Sequence, residues 1–556
     1  MLPNHPATRI PTALVTLALL GVAGGPGPLG QDTAAAQSRA ERDPQPRSAP
    51  SASVPSPSTE AASARAPVPG SLFLFTERFR LASGELKAVD RGFLFVPVRR
   101  DRPESGVVLI DFHRFPAAPD APEGLPPIFR LHGGPGFDGL GGDLDGGEYY
   151  EESVRPLARI SDVIVVGQRG IGSSKPNTRC GPPAESFPLD DPASLEESAA
   201  SQRATSARCR SFWEERGLDL EGLNVLEAAA DLDDVRAALG YDRVMIWGGS
   251  FGSHWGMAYM RHYPDRVARA VLTGLEGPDH TYDMPSWVLA ALERVAADAE
   301  ASAALRGRIP EGGLIEAWKT VVRRVESEPM LVERVDDETG DTGAVLFRAD
   351  RVRGLADGYS RAPDGAHRMA AWPADILRLY AGDFDEVADR YLSRSGGPGG
   401  WPTASFFMLD CGSGISAERG RELRGDPAQR WVGEKGRFYD TNCPVWGSDL
   451  GEGFRRNFET EIPTVLVHGN WDLSTPFENA RELAPYFENG KLVVVNRGTH
   501  GALGEALEQV DGFREALVEF LRSGDMSAVP DRVDLPPVEW VVPDGPAASA
   551  ARSDRG

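Results

Sequence analysis

A short apolar run, Val244-Met245-Ile246-Trp247, leads into Gly248-Gly249-Ser250-Phe251-Gly252, and a helical pattern carrying Trp255, Met257 and Tyr259 follows at once. This strand–turn–helix constrains the chain more than any other stretch. The turn is strained and the backbone segments it joins approach closely, so small residues must stand on both sides of the serine. Such an elbow exposes the Ser250 hydroxyl at the carboxyl edge of a sheet, with a helix N-terminus that favours negative charge. A glycine-rich turn with an inert serine has the same letters. The rest of the chain must therefore supply what a reactive serine needs.

The flanking sequence has a regular rhythm. Residues 72–81, 90–100 and 106–115 read as consecutive strands rich in Phe, Val and Leu. A strand entering a glycine-rich loop is expected at 126–136 and another at 161–170, with further strands at 243–249, 267–274, 462–469 and 491–496. Helical spacing marks 224–239, 251–263, 476–487 and 504–522. Strands alternating with helices imply an α/β architecture, a mostly parallel sheet covered on both faces, with antiparallel strands at its start. The interval 278–455 breaks the rhythm with amphipathic stretches at 287–299, 313–326, 367–380 and 384–393, and reads as a helical cap inserted between two core strands. The core is then expected at 71–277 and 456–525.

Outside the core, residues 1–36 read as an export signal: the apolar run 12–25 is too short to span a bilayer comfortably, and Ala34-Ala35-Ala36 offers small residues for cleavage. Residues 37–70 are Pro/Ser/Ala-rich and read as a tether, and 526–556 as a C-terminal tail. Against 59 Lys+Arg stand 82 Asp+Glu, a net charge of −23, which argues against nucleic acid or an anionic membrane as the main partner. The acidic run 142–148 lacks full calcium-ligand spacing and reads as a rim loop, so neither metal nor cofactor is expected.

A serine hydroxyl needs a base. Around such an elbow the order is serine, acid, histidine. Of nine histidines, His5, His113 and His132 precede Ser250, His254 and His262 lie on the elbow helix, and His280 and His367 fall near or in the cap. His468 lies inside an apolar strand and reads as buried. His500 follows the last core strand in a loop, where an imidazole can reach the elbow. The loop 469–476 after the preceding strand holds one carboxylate, Asp472, suited to fixing the His500 tautomer. Two oxyanion donors are expected from the Phe251 N–H and the Gly134 N–H, with Gly133 as the alternative to Gly134; Pro135 has no N–H to give.

Together these residues resemble the prolyl aminopeptidase and tripeptidyl-aminopeptidase family of α/β-hydrolases. The resemblance rests on His132-Gly133-Gly134-Pro135-Gly136, Gln168-Arg169-Gly170, the 231–241 helix end, the elbow, and the Asp472 and His500 loops, in order across most of 71–525. Gly167 departs from the family's Asp, and Phe251 from its Trp or Tyr. The resemblance implies an α/β-hydrolase fold, an acyl-enzyme mechanism and peptides cleaved near a free N-terminus, with an anionic anchor for the ammonium group. Glu276, Asp279 and Asp283 are the candidates for it. Secreted members also carry cysteines here: Cys180 and Cys209 would bracket one loop, Cys411 and Cys443 another. Three pairings are open, and 180–209 with 411–443 suits sequence proximity and export. Fold and triad do not fix the substrate, so an esterase or amidase acting on a small metabolite is the second reading.

Overall fold

The Val- and Phe-rich segments assemble into one sheet in a computed structural model that describes residues 68–543, apart from 82, 138, 140–149, 182–183, 336–341, 356–364 and 395–400. The expected export signal, nearly all of the tether, the acidic run 142–148 and the end of the tail lie outside the described residues.

Strands β1 (Leu72–Arg80), β2 (Leu86–Arg99), β3 (Arg102–Phe115), β4 (Ile128–Leu131), β5 (Val163–Val166), β6 (Val244–Gly249) and β7 (Val267–Thr273) come first; a separate hairpin, β8 (Met330–Val335) and β9 (Thr342–Phe347), follows. Strands β10 (Thr464–Gly469), β11 (Gly490–Asn496) and β12 (Arg532–Asp534) complete the main sheet. Its ten strands run in the order β1-β2-β3-β5-β4-β6-β7-β10-β11-β12. The first pairings are antiparallel as far as β3–β5, and all from β5 onward are parallel. This is the mostly parallel sheet with an antiparallel start that the sequence led us to expect.

The helices used below are α1 (Leu195–Glu214), α2 (Val225–Ala238), α3 (Phe251–His262), α4 (Pro285–Ala301), α5 (Gly313–Ser327), α6 (Gly365–Ala381), α7 (Asp385–Arg394), α8 (Ala404–Ser413), α9 (Ala417–Gly425), α10 (Arg437–Trp446), α11 (Phe477–Leu483), α12 (Ala502–Gln509) and α13 (Phe513–Ser523). Alternation along each strand divides the core. Ile246, Leu272 and Leu466 pack with Leu232 of α2 and Trp255 of α3 on one face; Met245, Val271 and Val467 pack with Ala506 of α12 and Phe520 of α13 on the other. A third apolar cluster joins Val288 and Leu292 of α4, Trp318 of α5, Trp372 of α6 and Phe384.

Several elements differ from expectation for identifiable reasons. The single helix expected at 504–522 is two helices, with Gly512 at φ +79° in the break, a conformation that glycine adopts without strain. The interval 278–455 holds the β8–β9 hairpin as well as helices. Helix α1 was not expected; Ser194 caps it, its hydroxyl accepting from Glu197 N while the Glu197 carboxylate accepts from Ser194 N. Proline-rich sequence past 525 still adds the tenth strand and buries Val529, Val533, Leu535 and Trp540. The cysteines pair as Cys180–Cys209 and Cys411–Cys443, with S–S distances of 2.02 and 2.09 Å.

Candidate active site

Strand β6 ends at Gly249, and the chain turns sharply into α3 through Ser250, at φ 56° and ψ −132°. Among the described residues only Ser250 and Arg497 are non-glycine residues with positive φ. The flanking glycines are sterically required. A Cβ at Gly252 would lie 2.3 Å from the Leu131 carbonyl oxygen, and one at Gly248 would lie 2.4 Å from the Gly252 carbonyl oxygen. The close packing of α3 on β4 therefore fixes where the hydroxyl emerges.

The loops after β10 and β11 carry Asp472 and His500. Asp472 is fully buried and its Oδ2 lies 2.8 Å from His500 Nδ1. Ser474 N and Thr475 N donate to Oδ1 at 2.8 and 3.0 Å, and the Thr475 hydroxyl donates to Oδ2 at 2.8 Å. Burial pushes this carboxyl up, but the charge and hydrogen bond of His500 and the backbone bond from Thr475 outweigh it and hold Asp472 below the usual range. His500 lines the same cavity as Ser250. A Cβ on Gly274 would come 3.0 Å from His500 Cε1 and 3.5 Å from Ser250 N, so the ring and the elbow face one small gap. His468 is buried behind Asp472: its Nδ1 accepts from Leu275 N at 3.0 Å, leaving Nε2 to donate to the Thr475 carbonyl at 2.7 Å. His254 is likewise buried, bridging the Gly277 carbonyl and the Ser413 hydroxyl, and burial lowers its pKa to about 4.

Opposite the elbow lies the loop 132–136. Gly133 backs directly on the serine: a Cβ there would meet Ser250 Cβ at 2.7 Å. The buried Gln168 amide shapes this loop, its NH2 donating to the His132 and Gly133 carbonyls at 3.2 and 3.0 Å and its oxygen accepting from Gly136 N at 2.9 Å. Those bonds occupy both carbonyls and the Gly136 N–H, while Gly133 and Gly134 line the cavity beside Ser250. Phe251 stands at the first position of α3, with its ring buried.

The cavity has a volume of about 1390 Å³, with Phe406, Phe438 and Leu473 on its apolar wall and Asp283, Thr281 and Tyr439 on its polar wall. Glu276 is buried beside that polar wall. Burial, and then the charges of Asp410 and Asp283, raise its pKa well above the carboxylate range. Asp410 is raised by burial too, although Tyr439 Oη donates to it at 2.8 Å. Two of the three candidate anchors, Glu276 and Asp283, thus share one acidic corner. Asp279 does not: it accepts from Ser416 N at 2.5 Å and pairs with Arg419 at 3.3 Å, which ties it to α9. Asp410 and Tyr439, which complete the corner, went unnoticed in the sequence, since each sits alone on its own helix without a local signature. Among the described residues no cluster of His, Cys, Asp or Glu has the arrangement of a metal site, and no helix is long and apolar enough to cross a membrane.

Comparison with known proteins gives this geometry a context. The family described as alpha/beta hydrolase fold matches residues 126–318, and the one described as TAP-like protein matches 433–533. The serine protease Hip1 of Mycobacterium tuberculosis is 31% identical over 194 residues, 34% of this chain and 36% of that protein, so the match spans about a third of that relative's length. A tripeptidyl aminopeptidase of Streptomyces lividans is 24% identical over 448 residues, covering 75% of this chain and 79% of that enzyme. A proline iminopeptidase of Neisseria meningitidis is 27% identical over 406 residues, covering 72% and 90%. The chain has the α/β-hydrolase fold and, within it, resembles the prolyl and tripeptidyl aminopeptidases.

Proposed function

We propose that this chain is an exported serine aminopeptidase that removes N-terminal residues from short peptides. The carrying observation is a strained serine and a histidine on one cavity, the histidine 2.8 Å from a buried carboxylate, with Asp283 on the wall of that cavity and the buried Glu276 close enough to feel its charge. Ser250 Oγ bonds to the scissile carbonyl carbon as His500 takes its proton. The Phe251 and Gly134 N–H groups receive the charge that grows on the carbonyl oxygen. His500 then protonates the leaving amine as the C–N bond breaks, giving the acyl-enzyme. Water, activated by His500, attacks that ester; the acyl group leaves and Ser250 recovers its proton. Asp472 stays ionised and holds the imidazole in place.

Glu276 and Asp283, with Asp410 and Tyr439 beside them, anchor the substrate ammonium. The segment 278–455 acts as the cap, since Phe406, Phe438 and Tyr439 from it wall the cavity. The two disulfides support export, because such bonds persist in oxidising compartments.

The test is a panel of aminoacyl and short-peptide amides with free and blocked amino termini, run beside simple esters. Ser250→Ala is expected to abolish turnover with the fold intact by circular dichroism; retained hydrolysis would falsify the triad. Free-amine substrates are expected to react much faster than blocked ones. Equal rates on both would move the assignment to an esterase or amidase.

A further inference from the structure

Helix α4 presents two opposite charges one turn apart, Arg294 and Asp298, and each reaches a different loop of the site. Residues four apart lie on one helix face. Arg294 Nε donates to the Asn470 carbonyl at 2.6 Å, and its terminal nitrogens pair with Glu478 at 2.9 and 3.3 Å. Asn470 stands two residues before Asp472. Asp298 accepts from Arg497 Nε at 3.1 Å and from its Nη2 at 2.9 Å. Arg497 stands three residues before His500.

The two loops are also joined to each other. Arg497 N donates to the Asn470 side-chain oxygen at 2.8 Å, and Trp471 N donates to the Gly498 carbonyl at 2.9 Å. Trp471 and Leu473, on either side of Asp472, are buried in the same apolar cluster as Val288, Leu292 and Val295 of α4. Arg497 has φ +65°, an unusual conformation for a residue with a side chain, and its guanidinium is spread between Asp298 and the Leu535 carbonyl. Such a backbone is held from outside the loop, and the Arg497–Asp298 pair holds it.

We propose that α4 acts as a clamp on the acid and base loops, with Arg294 and Asp298 as positioning residues that set the alignment of Asp472 with His500. Neither touches substrate. The proposal rests on the Ser250–His500–Asp472 reading. It also means that any opening of the cap leaves α4 in place and moves other helices, because displacing α4 would misalign the acid and the base.

The experiment measures kcat and KM on a free-amine peptide amide for Arg294→Ala, Asp298→Ala, Asp298→Glu and the Arg294→Ala/Asp298→Ala pair, with Ser250→Ala as the reference. Small misplacements far from the chemistry cost up to about a hundredfold. Each single alanine variant is expected to lose roughly tenfold or more in kcat, with KM within about twofold. The double variant is expected to lose less than the product of the two, and Asp298→Glu to recover part of the rate. Arg497→Gly covers the case in which Asp298→Ala does not fold: glycine suits φ +65°, so it removes the guanidinium without adding strain, and it should show the same loss in kcat. Unchanged kcat in Asp298→Ala or Arg497→Gly, with Ser250→Ala inactive, overturns the clamp alone. A loss confined to KM, or matched by a loss of folded protein at assay temperature, also overturns it. Hydrolysis by Ser250→Ala overturns the triad reading first.

Discussion

The acidic corner carries the most distinctive chemistry in the site. Glu276 and Asp410 are both raised by burial, so without a cation the corner favours protonated carboxyls over two negative charges. On the proposed reading, a substrate ammonium seated there would reverse that preference by supplying the opposite charge. The sign of the pH dependence follows. Acidification below the raised range neutralises the carboxyls and weakens the anchor, so KM for free-amine substrates is expected to rise as pH falls through neutrality. Above about pH 8 the substrate amine loses its own proton, so KM is expected to rise again. Blocked or neutral substrates should lack this minimum, and KM measured from pH 5.5 to 9.5 on a matched pair checks it. Glu276→Gln is expected to raise KM for the free amine by roughly tenfold or more, as loss of a charge-assisted hydrogen bond in a buried site implies, and to leave a blocked substrate unchanged. A flat KM profile would remove the corner from substrate binding.

Three helices from distant parts of the chain line the cavity of Ser250: α1 contributes Leu195 and Gln202, α8 Phe406, and α10 Phe438 and Tyr439. Cys411–Cys443 joins α8 to α10 directly beside Asp410 and four residues from Tyr439. A cross-link between residues 32 apart contributes about 3–4 kcal/mol on the chain-entropy account. Cys411→Ser/Cys443→Ser is therefore expected to lower the unfolding temperature, and to raise KM for free-amine substrates more than it lowers kcat. Thermal unfolding with and without reductant, beside kinetics, reads both. This scale also shows where sequence reading stops. The elbow, His500 and Asp472 were legible because each sits next to a strand with a clear pattern and their order is restrictive. Asp410 and Tyr439 were not, because neither carries a local signature, although the Cys411–Cys443 bond that joins their helices was expected. The helix break at Gly512 was hidden because the apolar period continues through Val510 and Phe513. β12 was hidden because three residues in proline-rich surroundings carry no period.

The whole molecule closes through its C-terminal segment, in a way that composition alone obscured. Past α13 the chain adds β12 beside β11, the strand that leads to His500, and then reaches the Asp472 loop, where Trp540 packs on Trp471 at 5.8 Å between ring centres. Val541 N donates to the Ala370 carbonyl at 3.1 Å, and the Leu535 carbonyl accepts from Arg497. One segment thus touches the sheet edge, the His500 loop, the Asp472 loop and α6. Val529, Val533, Leu535 and Trp540 are all buried. Burying each such side chain is worth about 1.5–3 kcal/mol, so removing all four costs on the order of 6 kcal/mol or more. That is comparable with the total stability of an ordinary domain, about 5–15 kcal/mol. A chain ending at residue 527 is expected to be insoluble or unfolded by circular dichroism. Trp540→Ala, which leaves β12 in place, is expected to fold with a loss of about 3–5 kcal/mol and a lowered kcat, because Trp471 stands next to Asp472. A chain ending at 527 that folds and unfolds like the full chain would mean that the core stands complete without its last strand. In that case the burial of these four residues contributes far less than their area implies.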